Sequence, residues 1–427
     1  MFRSWFCIAL VATLAFVLAA CGGGGGSSSS GPVEIAVWHG YQDTEGDAFK
    51  GLIDQYDKSH PDVRVSELYS SNDLVLQKVL TAVRGGSAPD VAYMFGSWSP
   101  NIAKISQVVD MAPEVQQADW NWDDFYPGER EAATVGEKVV GVPALVDNLA
   151  IVYNQKLFAD AGVAPPTKDW TWDDFRAAAA KLTDPSKGQY GWLIPADGSE
   201  DTVWHYLPML WEAGGSILTP DDEHAAFDSP AGVRALTVLQ QMAVEDKSLY
   251  LDTTNENGPK LMNSGKVAML VTGPWDLSQL SDIKYGVQVL PTFAGSGGSH
   301  QTISGPDNWV VFDNGDQKKR AAIDFVKWLT APEQVRTFSA ATGDLPTRIS
   351  VGQDQAFVDK LDQTLPGTAT FVQNLANVKT VRPTVEQYPS VSEALGQAIV
   401  SVMLGKDQPE AALKTAAEAA DTALAGK

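Results

Sequence analysis

From residue 33 onward, short runs of alternating apolar and polar residues are followed by longer segments whose apolar residues recur every three or four positions. The first pattern predicts strands and the second predicts helices. In chain order the predictions are a strand at 33–38, a helix at 45–59, a strand at 63–68, a helix at 73–84 and a strand at 88–94. This β-α-β-α-β order predicts an α/β fold with a doubly wound sheet, whose ligand lies beyond the carboxyl ends of the strands.

One stretch in the middle of the chain joins polar residues to an apolar strand. Residues 141–148 are an extended run that contains Asp147 and Asn148, and the apolar residues 149–153 predict a strand. Asn154 is predicted to cap a short helix that ends at Gly162. Because burying an unpaired carboxylate is expensive, the polar pair predicts that this stretch passes through a cleft and not a core.

Helices and apolar strands continue to alternate in the rest of the chain. We predict strands at 267–271 and 285–293, helices at 204–215, 230–247, 317–329 and 332–341, and a mostly helical region at 391–424.

Two near-copies occur at 120–125 and 170–175, each with two Trp, two Asp and a final Phe. A repeated ligand motif is one interpretation. We favour another, in which Asn121 and Thr171 cap helices, because the two Asp residues then lie in a first helical turn, where the helix dipole favours them.

The stretch around residue 150 resembles the signature of family 1 extracellular solute-binding proteins, the maltose-binding protein group of ABC importers. Leu145 departs from that signature, and the positions that fit it are Pro143, Ala144, Ala150, Ile151, Val152, Tyr153, Asn154, Phe158 and Asp160. The turn Gly273, Pro274, Trp275 and the strand at 285–293 are also similar to members of the family. The resemblance implies two doubly wound lobes joined by a hinge, a periplasmic binding protein-like fold of type II.

The resemblance also implies how the chain is divided and what it does. Residues 141–158 and 305–312 cross between the lobes, and Asp147 lies in a sugar cleft. Lobe I is expected from 33–145 plus 304–356, and lobe II from 146–303 plus 357–427. Hinge closure then traps a carbohydrate, and the closed protein docks on the permease subunits of an ABC importer.

The N-terminus predicts export and anchoring. Residues 5–20 are apolar apart from Thr13, which is short for a membrane span and typical of a signal peptide, here residues 1–20. Residues 18–21, Leu-Ala-Ala-Cys, resemble a bacterial lipobox, which implies cleavage before Cys21 and lipid attachment there. Residues 21–32 are then the lipidated Cys and a Gly/Ser tether, and the protein is expected outside the cytoplasm on the cell membrane.

Composition narrows the function further. The net charge of −22 repels nucleic acid. The five His residues have no ligand-like spacing, so no metal site is predicted, nor any other cofactor. Only Cys7 and Cys21 occur, and Cys7 leaves with the signal peptide, so no disulfide is expected. We expect a monomer that has no catalytic residues.

A sugar site needs flat aromatic side chains for the C–H faces and planar polar groups for the hydroxyls. Candidates come from loops that the fold or the resemblance brings to the cleft. For His39, a hydrogen bond to backbone is an equally good interpretation. The predicted ligand-binding residues are Asp147, Asn148, Trp275, Trp204, Trp309, Asp307, Asn308, Gly305, Tyr388, Arg382, Trp98, Ser97, Tyr41 and His39.

Two other functions stay open at this stage. The start Trp38, His39, Gly40 resembles some binders of glycerol phosphate or glycerophosphodiesters, although a phosphate usually requires Arg or a helix N-terminus. A secreted carbohydrate-active enzyme would need two carboxylates across the scissile bond, for which Asp147 and Asp307 are candidates. No nucleophile or metal motif accompanies them.

Overall fold

Two five-stranded sheets and a short hairpin form the framework of the computed structural model, which describes residues 31–254, 257–280, 282–295 and 299–426. The predicted signal peptide and Cys21 lie outside these residues. The strands are β1 Val33–His39, β2 Val63–Tyr69, β3 Val91–Phe95, β4 Thr134–Val135, β5 Lys138–Val139, β6 Val142–Leu145, β7 Ala150–Asn154, β8 Tyr190–Pro195, β9 Leu249–Asp252, β10 Val267–Thr272, β11 Tyr285–Gln288 and β12 Asp307–Val311.

Helices surround both sheets. Six short 3₁₀ segments and one π-helix, Gln241–Glu245, are also present in the described chain. None of the helices in the described ranges has the length and apolar character that crossing a bilayer requires. The α-helices are α1 Asp43–Ser59, α2 Asn72–Arg84, α3 Ser99–Ala103, α4 Ala112–Val115, α5 Pro127–Ala132, α6 Gln155–Asp160, α7 Trp172–Leu182, α8 Glu200–Glu212, α9 Pro230–Gln240, α10 Gly258–Asn263, α11 Asp316–Leu329, α12 Pro332–Thr342, α13 Ile349–Gly352, α14 Gln355–Thr364, α15 Thr368–Asn374, α16 Tyr388–Met403 and α17 Pro409–Leu424.

The first sheet has the strand order β2-β1-β3-β12-β6, and we call it and the helices packed on it lobe I. β1 pairs in parallel with β2 and β3, whereas β12 runs antiparallel between β3 and β6. Its inward-facing residues, among them Ile35, Val37 and Val91, are fully buried against α1 and α11. The sheet is therefore completed by a strand from late in the chain.

The second sheet has the order β11-β7-β10-β8-β9 and forms lobe II. β10, β8 and β9 are parallel to one another, and β7 runs antiparallel to both β10 and β11. The core of this lobe holds Trp172, Trp192 and Phe175, and the Ala-rich helices α16 and α17 pack on it through α8 and α9. Two mixed α/β lobes confirm the predicted fold class, while the exact lobe boundaries stay a prediction.

The structure has the predicted helix cap at two of the three predicted positions. The Asn154 side chain accepts hydrogen bonds from the amides of Lys156 and Leu157 at 3.0 and 3.2 Å. Thr171 and Asp174 form a reciprocal capping box at the start of α7. The predicted cap at Asn121 is wrong, because this residue is left-handed (φ 47°) between two 3₁₀ turns and caps neither with its side chain.

Several predicted elements have different bounds in the structure, and three of them show why. The helix predicted at 230–247 becomes a π-helix from residue 241. The strand predicted at 285–293 pairs with β7 only at 285–288. The region 391–424 is two helices with a break at 404–408, where Gly405 has a positive φ of 68°. In each case the type of element is right and pairing or backbone geometry sets its end.

Candidate functional site

A cavity of about 380 Å³ lies between the lobes. It lies at the carboxyl ends of β1, β3, β8, β9 and β10, as the doubly wound pattern predicts, and its volume is ordinary for a small-molecule site. Seven of the predicted residues line it, from both lobes and the crossing segments: Tyr41, Asp147, Trp204, Trp275, Gly305, Asp307 and Arg382.

Two indole rings contribute to the cavity wall from lobe II. Trp204 lies on α8 and is almost wholly buried, whereas Trp275 follows the turn at Gly273 and Pro274 and is partly exposed. A Cβ atom at Gly273 would lie 1.9 Å from the Trp275 ring, so only glycine lets this ring fold back over the turn. The sequence Gly-Pro-Trp thus presents a flat apolar surface to the cavity.

Arg382 is already engaged by protein groups. Its Nη1 donates to Glu200 Oε1 at 2.8 Å, and its guanidinium lies 4.6 Å from the ring centre of Trp204 and 5.5 Å from that of Phe95. Glu200 also accepts from the hydroxyl of Tyr388 at 2.9 Å. This arrangement holds Trp204 in place, and Glu200 neutralises much of the charge of Arg382.

Asp147 and Asp307 face the cavity from the two crossing segments. Asp147 Oδ1 accepts from the Gly305 amide at 2.8 Å, and Asp307 Oδ2 accepts from the Tyr93 hydroxyl at 2.5 Å. Asp307 Oδ1 has no hydrogen-bond partner within the described residues. Burial and then the nearby Asp307 raise the pKa of Asp147 well above its usual range, and burial raises the pKa of Asp307 to about 7.

Gly305 makes this geometry possible. A Cβ atom at this position would lie 2.8 Å from the Trp204 ring and 3.0 Å from Asp147 Oδ1, closer than real Cβ contacts. The lack of a side chain therefore brings the indole, the carboxylate and the second crossing together.

The lobes touch at one end of the cavity. Gly343, which follows α12 and has φ 95°, lies so close to the Pro274 carbonyl of lobe II that a Cβ would be 2.9 Å from the oxygen. Three acidic residues lie together here: Asp344, Glu45 of α1 and Asp276 of lobe II. Burial raises the pKa of Asp344 and of Asp276 to about 6, and burial followed by Asp344 raises the pKa of Glu45.

Two of the aromatic residues predicted to bind the ligand lie in the core. Trp309 is 2% exposed and stacks on Phe49 with ring centres 5.4 Å apart. Trp98 is 4% exposed and packs against Phe95 at 4.5 Å. Neither indole lines the cavity, because each ring turns into the apolar interior of lobe I.

Five of the other predicted ligand-binding residues also lie away from the cavity wall. Asn148 binds the Phe371 carbonyl at 2.9 Å and accepts from Asn374 at 2.7 Å, which holds the crossing to α15. Tyr388 is completely buried and binds Glu200. His39 accepts from the Tyr41 amide at 3.2 Å, as in the backbone-bonded interpretation. The remaining two are the buried Ser97 and Asn308.

The sequence interpretation missed many cavity residues, and seven of these are acidic. Glu200 and Asp201 occupy the first turn of α8, a position where acids are usual for helix stability alone. Glu45 similarly lies in the first turn of α1. Strand ends could have identified them, because α1 and α8 follow β1 and β8 directly.

No group of three His, Cys, Asp or Glu in the described chain is arranged to hold a metal ion.

Comparisons with known proteins agree with this geometry. Residues 42–336 match the model of the bacterial extracellular solute-binding protein family. The sn-glycerol-3-phosphate-binding periplasmic protein UgpB of Pectobacterium atrosepticum is 24% identical over 97% of this chain and 95% of its own.

Two solved structures are also similar. The cyclic α-maltosyl-1,6-maltose binding protein of Arthrobacter globiformis is 29% identical with a TM-score of 0.74, covering 93% of this chain and 100% of its own. An ABC transporter solute-binding protein of Thermotoga lettingae, bound with α-D-tagatose, is 25% identical with a TM-score of 0.80, covering 92% and 100%.

Proposed function

The chain belongs to the bacterial extracellular solute-binding protein family, and on that premise we propose that its cavity binds a carbohydrate for delivery to an ABC importer. One observation carries the proposal: the cavity combines the partly exposed indole of Trp275 with the carboxylates of Asp147 and Asp307. An indole packs on the C–H face of a sugar ring, while carboxylates accept hydrogen bonds from its hydroxyls. Closure of the two lobes would bury the sugar between them.

The similar structures support the same class of ligand. One is named as a binder of a cyclic maltosyl-maltose and the other holds tagatose. The first is an oligosaccharide and the second a monosaccharide, so the size of the sugar stays open between these two. Because two lobes close on the cavity, it can adjust to a sugar of either size.

Glycerol phosphate or a glycerophosphodiester is the second candidate, and the similarity to UgpB favours it. A phosphate needs an available cation or helix N-terminus. Arg382 and His205 are the basic side chains among the described cavity residues, and Glu200 and the carbonyls of Asp201 and Val271 already engage them. The charge of the cavity therefore favours the sugar.

A thermal-shift screen tests the two candidates together. Purified protein is melted with mono-, di- and oligosaccharides, glycosides, glycerol 3-phosphate and glycerophosphocholine. A ligand at 100 times its Kd stabilises the folded state by about 2.7 kcal/mol and raises Tm. A rise with a carbohydrate supports the proposal, whereas a rise with only the glycerol phosphates replaces it with the second candidate.

We propose binding without turnover, since the family consists of solute-binding proteins. Chromatography of oligosaccharides after incubation with the protein should return them intact. Cleavage products would instead support the enzyme interpretation, in which Asp147 and Asp307 act as the pair of carboxylates.

We also propose that lipid on Cys21 anchors the protein to the outer face of the cell membrane, with residues 22–31 as the tether to lobe I. The variant Cys21→Ser should be released from the membrane or stay unprocessed. Full processing together with unchanged membrane retention would contradict the anchor.

A further inference from the structure

We propose that the carbohydrate carries a positively charged amino group, which binds between Asp147 and Asp307. This inference rests on the proposed function and specifies its ligand. The two carboxylates lie on different crossing segments and both line the cavity. An ammonium group has three donors for carboxylate acceptors, whereas a hydroxyl has one.

The charge of the cavity wall is strongly one-sided. Two basic side chains, Arg382 and His205, are found among the cavity residues within the described chain. Nine acidic residues share the same wall: Asp43, Glu45, Asp147, Asp197, Glu200, Asp201, Asp252, Asp276 and Asp307.

Both basic groups are committed to particular acids. Arg382 donates to Glu200 at 2.8 Å. His205 contacts the Asp201 carbonyl at 2.8 Å and the Val271 carbonyl at 3.0 Å, an arrangement that needs a proton on both ring nitrogens. Its Nδ1 also lies 3.3 Å from the Asp201 carboxylate. One cation is thus matched to Glu200 and the other to Asp201.

Within the described chain, Asp307 is a buried carboxylate with one unpartnered oxygen that the surrounding protein encloses. The residue is 4% exposed, and its Oδ2 takes the Tyr93 hydroxyl, but Oδ1 has no partner within the described residues. A buried acceptor without a partner costs about 1–3 kcal/mol, and more when it is charged. Asp147, on the other crossing, has the backbone amide of Gly305 as its donor. Neither carboxylate forms an ion pair with a basic side chain in the described chain, although the charge of Arg382 favours the ionised form of both.

A neutral sugar supplies no charge opposite to these carboxylates, whereas a cationic sugar does. Burial disfavours their charged forms and raises the pKa of both carboxyl groups. An ammonium group between them would favour their ionised forms. The partly exposed indole of Trp275 suits the same ligand, because a protonated amine is attracted to an aromatic face as well.

Calorimetry with matched sugars tests the inference. D-glucosamine, D-glucose and N-acetyl-D-glucosamine differ only at carbon 2, and the dimer chitobiose can be compared with its di-N-acetyl form. At pH 7, at least one amine form is expected to bind ten-fold or more tightly than its neutral and acetylated partners. The advantage should shrink as salt is raised.

Two variants locate the effect. Asp307→Asn keeps the shape of the side chain and removes its charge, so binding of the neutral partner should weaken somewhat, binding of the amine should weaken more, and the advantage of the amine should fall to about three-fold or less. Asp54→Asn removes the same charge from an exposed position on α1 outside the cavity, and the advantage should stay. Asp147→Asn repeats the test if Asp307→Asn does not fold.

Two outcomes would overturn the inference, and they differ in what they mean for the proposed function. Neutral sugars that bind as tightly as the amines overturn this inference and leave the proposed carbohydrate function intact. Binding of spermidine, an amine without a sugar ring, in the absence of any carbohydrate binding overturns the proposed function as well.

Discussion

Asp147 and Asn148 are neighbours in the chain with separate roles. Asp147 lines the cavity and receives the Gly305 amide, while Asn148 is fully buried and bonded to α15. Their side chains point to opposite sides of the extended backbone, as successive residues do. One side of the crossing is therefore available to a ligand, and the other holds the crossing in position.

The substitution Asp147→Asn is expected to weaken carbohydrate binding by about ten-fold or more, because Asp147 accepts hydrogen bonds from sugar hydroxyls in its ionised form and such a bond contributes about 1.5–3 kcal/mol. In the free protein burial disfavours that form, and the amide oxygen can still accept from Gly305, so the free protein should be equally stable or slightly more so. Calorimetry and Tm give the two quantities.

Asn148→Ala is the matched control for that experiment. It removes bonds to Phe371 and Asn374, so it should lower the free energy of unfolding by about 1–3 kcal/mol. A stability loss without an affinity loss in Asp147→Asn would show that Asp147 is structural too.

Trp275→Ala removes the indole that lies over Gly273. A lost stacking surface costs roughly 1–3 kcal/mol, by analogy with bases on aromatic rings, or about 5- to 150-fold in affinity. Trp309→Ala, in the core of lobe I, should instead cost about 3–5 kcal/mol of stability. Full sugar affinity in a folded Trp275→Ala protein would assign this ring to packing.

The sequence indicated which types of residue line the cavity better than it indicated which individual residues do. Asp307 and Trp309 lie two residues apart on β12 and so share a face of the sheet, yet Asp307 reaches the cavity while Trp309 stacks on Phe49 in the core. The period of a strand fixes the face, but depth along the strand depends on the neighbouring helices. Sequence alone could not separate the two.

At the scale of elements, helix α12 ends where the lobes meet. Gly343 adopts φ 95° and lies against the Pro274 carbonyl. Only glycine combines this backbone conformation with such a close approach, so the end of the helix limits how near lobe II can come.

Gly343→Val should therefore favour the open protein, with weaker sugar binding and a larger radius of gyration in X-ray scattering with ligand present. Gly315→Val is the matched control, because Gly315 has a similar φ of 102° and open space where a Cβ would lie. Both variants carry backbone strain, and only the first adds a clash between lobes. Equal effects of the two on affinity would contradict a closing contact.

Elements whose limits are set locally were well predicted. The helix after Asn154 has its cap, its Gly162 and its apolar face in the sequence itself. The ends of β11 and α9 were not, because β11 stops where pairing with β7 stops and α9 changes to a π-helix. Such ends depend on partners far away in the chain.

At the scale of the whole molecule, the buried carboxyls predict a pH dependence. Burial raises the pKa of Asp307 to about 7 and of Asp276 and Asp344 to about 6. The folded protein then binds more protons than the unfolded chain between about pH 4 and pH 7. The protonated carboxyl groups stabilise the folded state fully at pH values below the carboxyl pKa of the unfolded chain. That stabilisation is lost as the pH rises through 6 to 7.

We therefore expect the ligand-free protein to be less stable at pH 8 than at pH 5. The difference should be at least about 1.4 kcal/mol, the value of one pKa unit. Asp307→Asn should flatten this slope in urea unfolding at several pH values. A stability that rises from pH 5 to pH 8 would show that these carboxyls are not held in their neutral form.

The position of β12 also determines when the sheet of lobe I can be completed. The five strands of lobe II form an unbroken series from residue 150 to 288, whereas β3 and β6 of lobe I must wait for residues 307–311 to fill the gap between them. Pairing between such distant segments is slow, because a long loop must close first. As the chain is synthesised from its N-terminus, β1, β2 and β3 can pair early, whereas the edges of β3 and β6 that receive β12 stay unpaired until residues 307–311 have been made.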